Sequence, residues 1–197
     1  MILFYGLLII NLIIAIVNAI SVGRNWSAVR QMSGMVKWSA YSVFIMSVIG
    51  FTQIYLIILL WLSPHLLPII GVHGIDQYMV LQLFSDITFI LIITAIIPSG
   101  LLMWYNSALH FWKNKNLGSG AILTWNTFAQ VRNISVAVRG LPKAIRRIKE
   151  TLSGSGNGKG KLIIIVGLAV VFVLLAGYFT TNTIVNKVDK TKPPKDI

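Results

Sequence analysis

The sequence predicts an all-α integral membrane protein: four transmembrane helices plus a basic amphipathic helix pair on the cytoplasmic side. Three observations carry this expectation. Hydrophobic residues make up 56% of the 197-residue chain and charged residues only 11%, against roughly 45–50% and 25% in ordinary soluble domains. The apolar residues collect in four long runs that hold a single charged side chain between them. The remaining charge is lopsided, 17 Lys and Arg against 5 Asp and Glu, for a net charge of +12. Too few charges remain to cover a water-soluble surface, and the mean hydropathy of +0.79 agrees. A soluble globular enzyme is excluded, and so is a largely disordered chain, which lacks this much apolar surface. With no cysteine, disulfides, thiolate metal sites and cysteine nucleophiles are excluded too.

A crossing needs about 20 mostly apolar residues to traverse a hydrocarbon core about 30 Å thick. The first predicted span runs over residues 2–22 and the second over 39–62, both without charge. The third, 77–105, contains Asp86 and is long enough to tilt. Its Pro98-Ser99-Gly100 predicts a kink. The fourth covers 162–181. Val17-Asn18-Ala19 resembles a signal-peptide cleavage site, but no Lys or Arg precedes the apolar run, and the run exceeds a typical signal core. The first span is therefore expected to remain. Residues 1–120 read as a three-span region with its loops.

The connections set the expected orientation. Residues 23–38 carry Arg24, Arg30 and Lys37, and 106–161 carry ten basic residues with Glu150 as their one acid. The connection 63–76 has no Lys or Arg, and its prolines and glycines predict broken, interfacial structure. Lys and Arg collect in cytoplasmic loops, so 23–38 and 106–161 are expected inside and both termini outside. Trp61, Tyr78, Trp104, Tyr105 and Trp112 lie near span ends, where aromatic belts form.

Residues 121–152 form the basic amphipathic segment. Val131, Ile134, Val138, Leu141, Ile145, Ile148 and Leu152 recur at steps of three and four, one apolar stripe on a helix. Arg132, Arg139, Lys143, Arg146, Arg147 and Lys149 fall off that stripe. Gly140-Leu141-Pro142 interrupts the pattern, because proline lacks an N–H and restricts the residue before it. Two helices are expected, 121–139 and 142–152. The pattern suits a helix lying on an anionic leaflet, stripe inserted and cations on the headgroups. Packing on other spans or on partner subunits is the second reading. Nucleic acid is the weakest, since no base- or backbone-reading motif accompanies the charge.

Residues 153–161, Ser-Gly-Ser-Gly-Asn-Gly-Lys-Gly-Lys, read as a flexible linker. A phosphate loop is excluded, because Gly160 follows Gly158-Lys159 where Ser or Thr is required, and no strand precedes it. Residues 182–197 form a polar Lys/Pro tail.

Asp86 is the one ionisable group inside a span, and such groups are functional candidates by default. Gln82 shares its face one turn back. Asn11 and Asn18, seven apart on the first span, and Gln53 on the second complete a possible polar seam joining three helices. The expected role of Asp86 is structural, a hydrogen-bonded group joining spans; a cation or proton site is the alternative. His65, His73 and Asp76 share one connection, but their spacing enforces no metal geometry, and His110 lies on the other side. No cofactor, metal or catalytic set is expected. The sequence thus predicts a non-enzymatic structural or accessory subunit of a cellular, organellar or viral membrane assembly; the alternatives are a small ion or solute channel or transporter using Asp86, or a membrane anchor contacting nucleic acid. Its partners would be the bilayer, anionic lipids, and other subunits or copies of itself.

Overall fold

The computed structural model describes residues 2–69, 77–154 and 159–190. Among these it is all-helical: α1 (Ile2–Gly23), α2 (Trp26–Gln31), α3 (Gly34–Ile69), α4 (Gln77–Asn114), α5 (Leu117–Gly154) and α6 (Lys159–Lys190). Residues 70–76 of the connection 63–76, 155–158 of the linker and 191–197 of the tail lie outside the described residues. Among the described residues, three helices are long and apolar enough to cross a membrane, within Gly34–Ile69, Tyr78–Asn114 and Leu162–Lys190. That fits a multi-pass membrane protein. The expected first span, 2–22, falls on α1 (Ile2–Gly23), with Leu8–Gly23 a shorter apolar helix among the described residues.

The long helices run up and down. α1 lies antiparallel to α3: the Asn11 amide donates to Gln53 Oε1 at 3.0 Å, and the Ser47 hydroxyl to the Ala15 carbonyl at 2.7 Å. α3 and α4 join at both ends, Asn106 Nδ2 donating to Ser39 Oγ at 2.6 Å and Leu67 sharing a core with Val80. α6 runs antiparallel to α3, with Tyr55 Oη 2.7 Å from Thr180 Oγ1 and Ser47 Oγ 3.3 Å from Thr181 Oγ1. The larger core gathers Leu67, Val80, Leu83, Phe84, Leu162, Val166, Val170 and Val173 at one end of the bundle. A smaller one, Ala19, Val22 and Val185, closes the other. There the Ser27 N–H reaches Asp189 Oδ1 at 3.4 Å, so α6 finishes beside the end of α1. The start of α1 points to the opposite end of the bundle.

The structure corrects several expected boundaries. α3 continues through Pro64 and Pro68 instead of breaking at residue 63. Pro64 cannot donate to the Leu60 carbonyl, and the Ser63 hydroxyl supplies that bond at 2.6 Å. α4 passes Pro98, as the expected span 77–105 did, but extends beyond 105 to Asn114. α6 starts within the expected linker and continues nine residues past 181. Thr181 and Val185, both fully buried, carry its inner face onward against Val22.

The largest correction concerns the expected pair 121–139 and 142–152, which is one helix of 38 residues running through Pro142. Proline removes one bond of the ladder, to the Val138 carbonyl. Packing along a neighbouring helix compensates, because most helical stability in a protein comes from tertiary contact.

Candidate functional site

The polar residues of interest concentrate where α5 returns along α4. Gly120 lies against Phe111, and the Trp104 indole N–H donates to Thr127 Oγ1 at 3.0 Å. Asn126 donates to Ser107. Further along, the Gln130 side chain fills the space a Cβ at Gly100 would take, and the Phe89 ring fills it at Gly140. The last contact is Arg147 on Asp86. These pairs step down α4 while stepping up α5, so the two helices form one long antiparallel hairpin. α5 lies along the bundle, not across its end.

The face that α5 turns to α4 is not its apolar stripe. Ser119, Gln130, Ala137 and Ala144 are buried there, and Asn126 and Asn133 are half-buried on the same face. Small side chains let two helix backbones approach, and amides bond across the gap, the pattern common between helices in membranes. Val131, Ile134, Val138 and Ile145 of the stripe remain exposed on one flank. Ile148 and Leu152 alone of the stripe reach the large core.

Asp86 sits at the far end of this seam with its side chain only 3% exposed. Arg147 grips it bidentately, Nε donating to Oδ2 at 2.8 Å and Nη2 to Oδ1 at 2.5 Å. Parallel N–H···O bonds from a planar guanidinium make the strong, orientation-fixing form of ion pair. The Arg147 side chain keeps 42% of its surface exposed, so its charge is only partly withdrawn from solvent.

The five intramembrane polar residues do not form one seam. Asn11 and Gln53 pair between α1 and α3, while Asp86 pairs with α5. Asn18 is half-buried and Gln82 exposed, and among the described residues they join neither pair. Of the six basic residues expected to meet lipid, Arg147 is committed to Asp86. Arg146 makes an exposed one-turn bridge to Glu150 at 3.6 Å, of a kind worth roughly 0.3–0.5 kcal/mol. Arg132, Arg139, Lys143 and Lys149 are exposed. His110 is exposed beside Asn114 Nδ2, and His73 and Asp76 lie outside the described residues. No group of three potential metal ligands occurs among the described residues.

Sequence reasoning missed the Ser47–Thr181 and Tyr55–Thr180 links and the Ser39, Asn106, Ser107, Asn126 and Gln130 contacts. The hydroxyl and amide residues of 119–133 are a signal that could have marked the docking face. Known proteins offer no guide, as no family model, curated protein or solved structure matches this chain.

Proposed function

We propose that the chain is a non-enzymatic, multi-pass subunit of a membrane assembly, in which Asp86 fastens α5 along α4. The bidentate Arg147–Asp86 pair carries this reading. A carboxylate whose two oxygens already accept from a guanidinium is poorly placed to bind a passing cation or relay a proton, whereas the same pair locks two helices in register.

With α5 alongside α4, five helices share the bundle's long axis, and α5 becomes a fifth crossing. Arg24, Arg30, Lys37, Lys113, Lys115, Lys187 and Lys190 then share one side, against Lys143, Arg146, Lys149, Lys159 and Lys161 at the other, and the positive-inside rule favours the first as cytoplasmic by that small excess. This arrangement differs from the expected four spans with both termini outside. It also accounts for lysines at the end of α6, which four spans leave on the wrong side. At the other end, Lys143, Arg146 and Lys149 stand in the last three turns of α5, where they can meet anionic headgroups.

Reconstitution into anionic vesicles tests both parts. We expect no proton or cation flux that depends on Asp86. We also expect bound anionic lipid to fall when Lys143, Arg146 and Lys149 are all replaced by Gln. Proton or cation flux in the wild type, abolished by Asp86→Asn in a still-assembled protein, would overturn the structural role.

A further inference from the structure

The turn between α2 and α3 carries two cations on a shared aromatic platform. The Arg30 guanidinium stands 5.7 Å from the centre of the Trp26 ring, and the Lys37 ammonium 6.0 Å from that of Tyr41. Trp26 meets Tyr41 edge to face at 5.9 Å and stacks on Phe44 at 5.5 Å. Trp26 and Phe44 pack in turn on the core of Ala19, Val22 and Val185, so the platform is fastened to α1 and α6 as well as α3. The ring quadrupole attracts each cation and holds it in place. The Lys37 ammonium also donates to the Arg30 carbonyl at 3.4 Å, at the end of α2. The two positive charges remain unneutralised. The ion pairs among the described residues are Arg146–Glu150 and Arg147–Asp86. Asp189 is engaged at the start of α2, where the Ser27 N–H reaches it at 3.4 Å, whereas Arg30 stands in the last turn.

α3 sets the depth of this turn. It runs unbroken from Gly34 to Ile69, and between Lys37 and His65 it carries no charged side chain. That stretch is about 28 residues long, about 42 Å at about 1.5 Å per residue. A bilayer with both headgroup layers measures about 40–45 Å. With α3 across the membrane, Lys37 therefore stands at headgroup level. Met35, Val36 and Trp38 are exposed around it, the mixture of apolar, aromatic and basic side chains that beds into an interface. The headgroup component that complements two cations is phosphate, whose oxygens accept charge-assisted bonds from both.

We propose that Arg30 and Lys37 together hold the phosphate of an anionic phospholipid, with its acyl chains along the exposed side of α3 from Trp38 to Ile45. A zwitterionic choline lipid fits less well, because its own ammonium group is repelled by the same two cations. The site lies at the opposite end of the bundle from the cations in the last turns of α5. It rests on the multi-pass reading, through the crossing of α3, and not on the course of α5.

The test uses the full chain with Met35→Cys carrying a bimane label, in phosphatidylcholine vesicles. Spin-labelled phosphatidylglycerol or spin-labelled phosphatidylcholine, each with its nitroxide high on the acyl chain, is then added. Quenching reads the lipid beside this turn alone, so the cations of α5 do not contribute. The anionic lipid should associate at least about threefold more strongly than the choline lipid. Arg30→Gln with Lys37→Gln should bring that ratio close to one, while the exchange Arg30→Lys with Lys37→Arg should keep it. Because Lys37→Gln also removes the tie to α2, Arg30→Gln alone, at an exposed position, should lower the ratio in a chain that unfolds at the wild-type temperature. Equal quenching by the two lipids in the otherwise wild-type chain, or an unchanged ratio in Arg30→Gln or in the Gln pair, overturns the phosphate site and leaves the crossing of α3 standing. Quenching by neither lipid puts the turn away from the headgroups, and both fall.

Discussion

Asp86→Leu is expected to release α5 from α4 at its far end. Breaking a buried ion pair by removing one partner costs roughly 3–5 kcal/mol, because a desolvated charge is left unmatched. The Arg147 side chain is 42% exposed, so the cost here falls below that range, at about 2 kcal/mol. That is still a large share of the stability of an ordinary domain. Asp86→Asn keeps one acceptor for the guanidinium and should fall between leucine and wild type. The decisive variant exchanges the charges: Asp86→Arg alone and Arg147→Asp alone should each destabilise, and the two together should recover much of the loss. Thermal unfolding in detergent, followed by tryptophan fluorescence, measures all five variants. A double exchange no better than the sum of its parts would mean that the pair contributes no coupling.

Gly177→Leu should be at least as damaging, at the opposite face of the bundle. A Cβ at Gly177 would collide with Thr52 Oγ1 and lie 2.7 Å from the Val48 carbonyl oxygen and 3.0 Å from the Thr52 nitrogen. The last two are backbone atoms of α3, so relief requires moving a helix rather than turning a side chain. Overpacking typically costs about 1–3 kcal/mol, and contact with backbone puts this site at the top of that range. Gly167 provides the control on the same helix, since a Cβ there meets nothing within 4 Å. Gly167→Leu should unfold within a few degrees of wild type. Gly177→Leu should lower the transition markedly and lengthen the Ser47–Thr181 separation, read by disulfide trapping of a cysteine pair at those two positions. Equal behaviour of the two glycine variants would contradict the close approach of α6 to α3.

What the sequence could reveal followed from period and composition. The long apolar runs announced α1, α3, α4 and α6, because a helix that is apolar all round has no place in water. Helix ends were misjudged at Pro64, at Pro142, and beyond residues 105 and 181. Proline's effect on its own backbone is local and legible, but the hydroxyl of Ser63 or the flank of a neighbouring helix can compensate it, and neither is local. Asp86 stood out as the lone acid in a span. Its partner did not, because Arg147 is 61 residues away and looked like one cation among six. The docking face of α5 was hidden for a different reason. The stripe from Val131 to Leu152 has the helical period that marks a core-facing surface in water. Small and amide residues can dock one helix on another instead, and Ser119, Asn126, Gln130, Ala137 and Ala144 do it here.

The central claim is that α5 crosses the membrane beside α4. Single cysteines at Leu117, Ser153 and Lys190 test it, since the chain has no cysteine of its own. Leu117 sits at the α4–α5 turn and is 93% exposed; Ser153 is in the last turn of α5, and Lys190 ends α6. With an impermeant maleimide on sealed vesicles of known orientation, Leu117→Cys and Lys190→Cys should react from one side and Ser153→Cys from the other. Reaction of Leu117→Cys and Ser153→Cys from the same side, with Lys190→Cys opposite, would return α5 to the membrane surface and contradict the account.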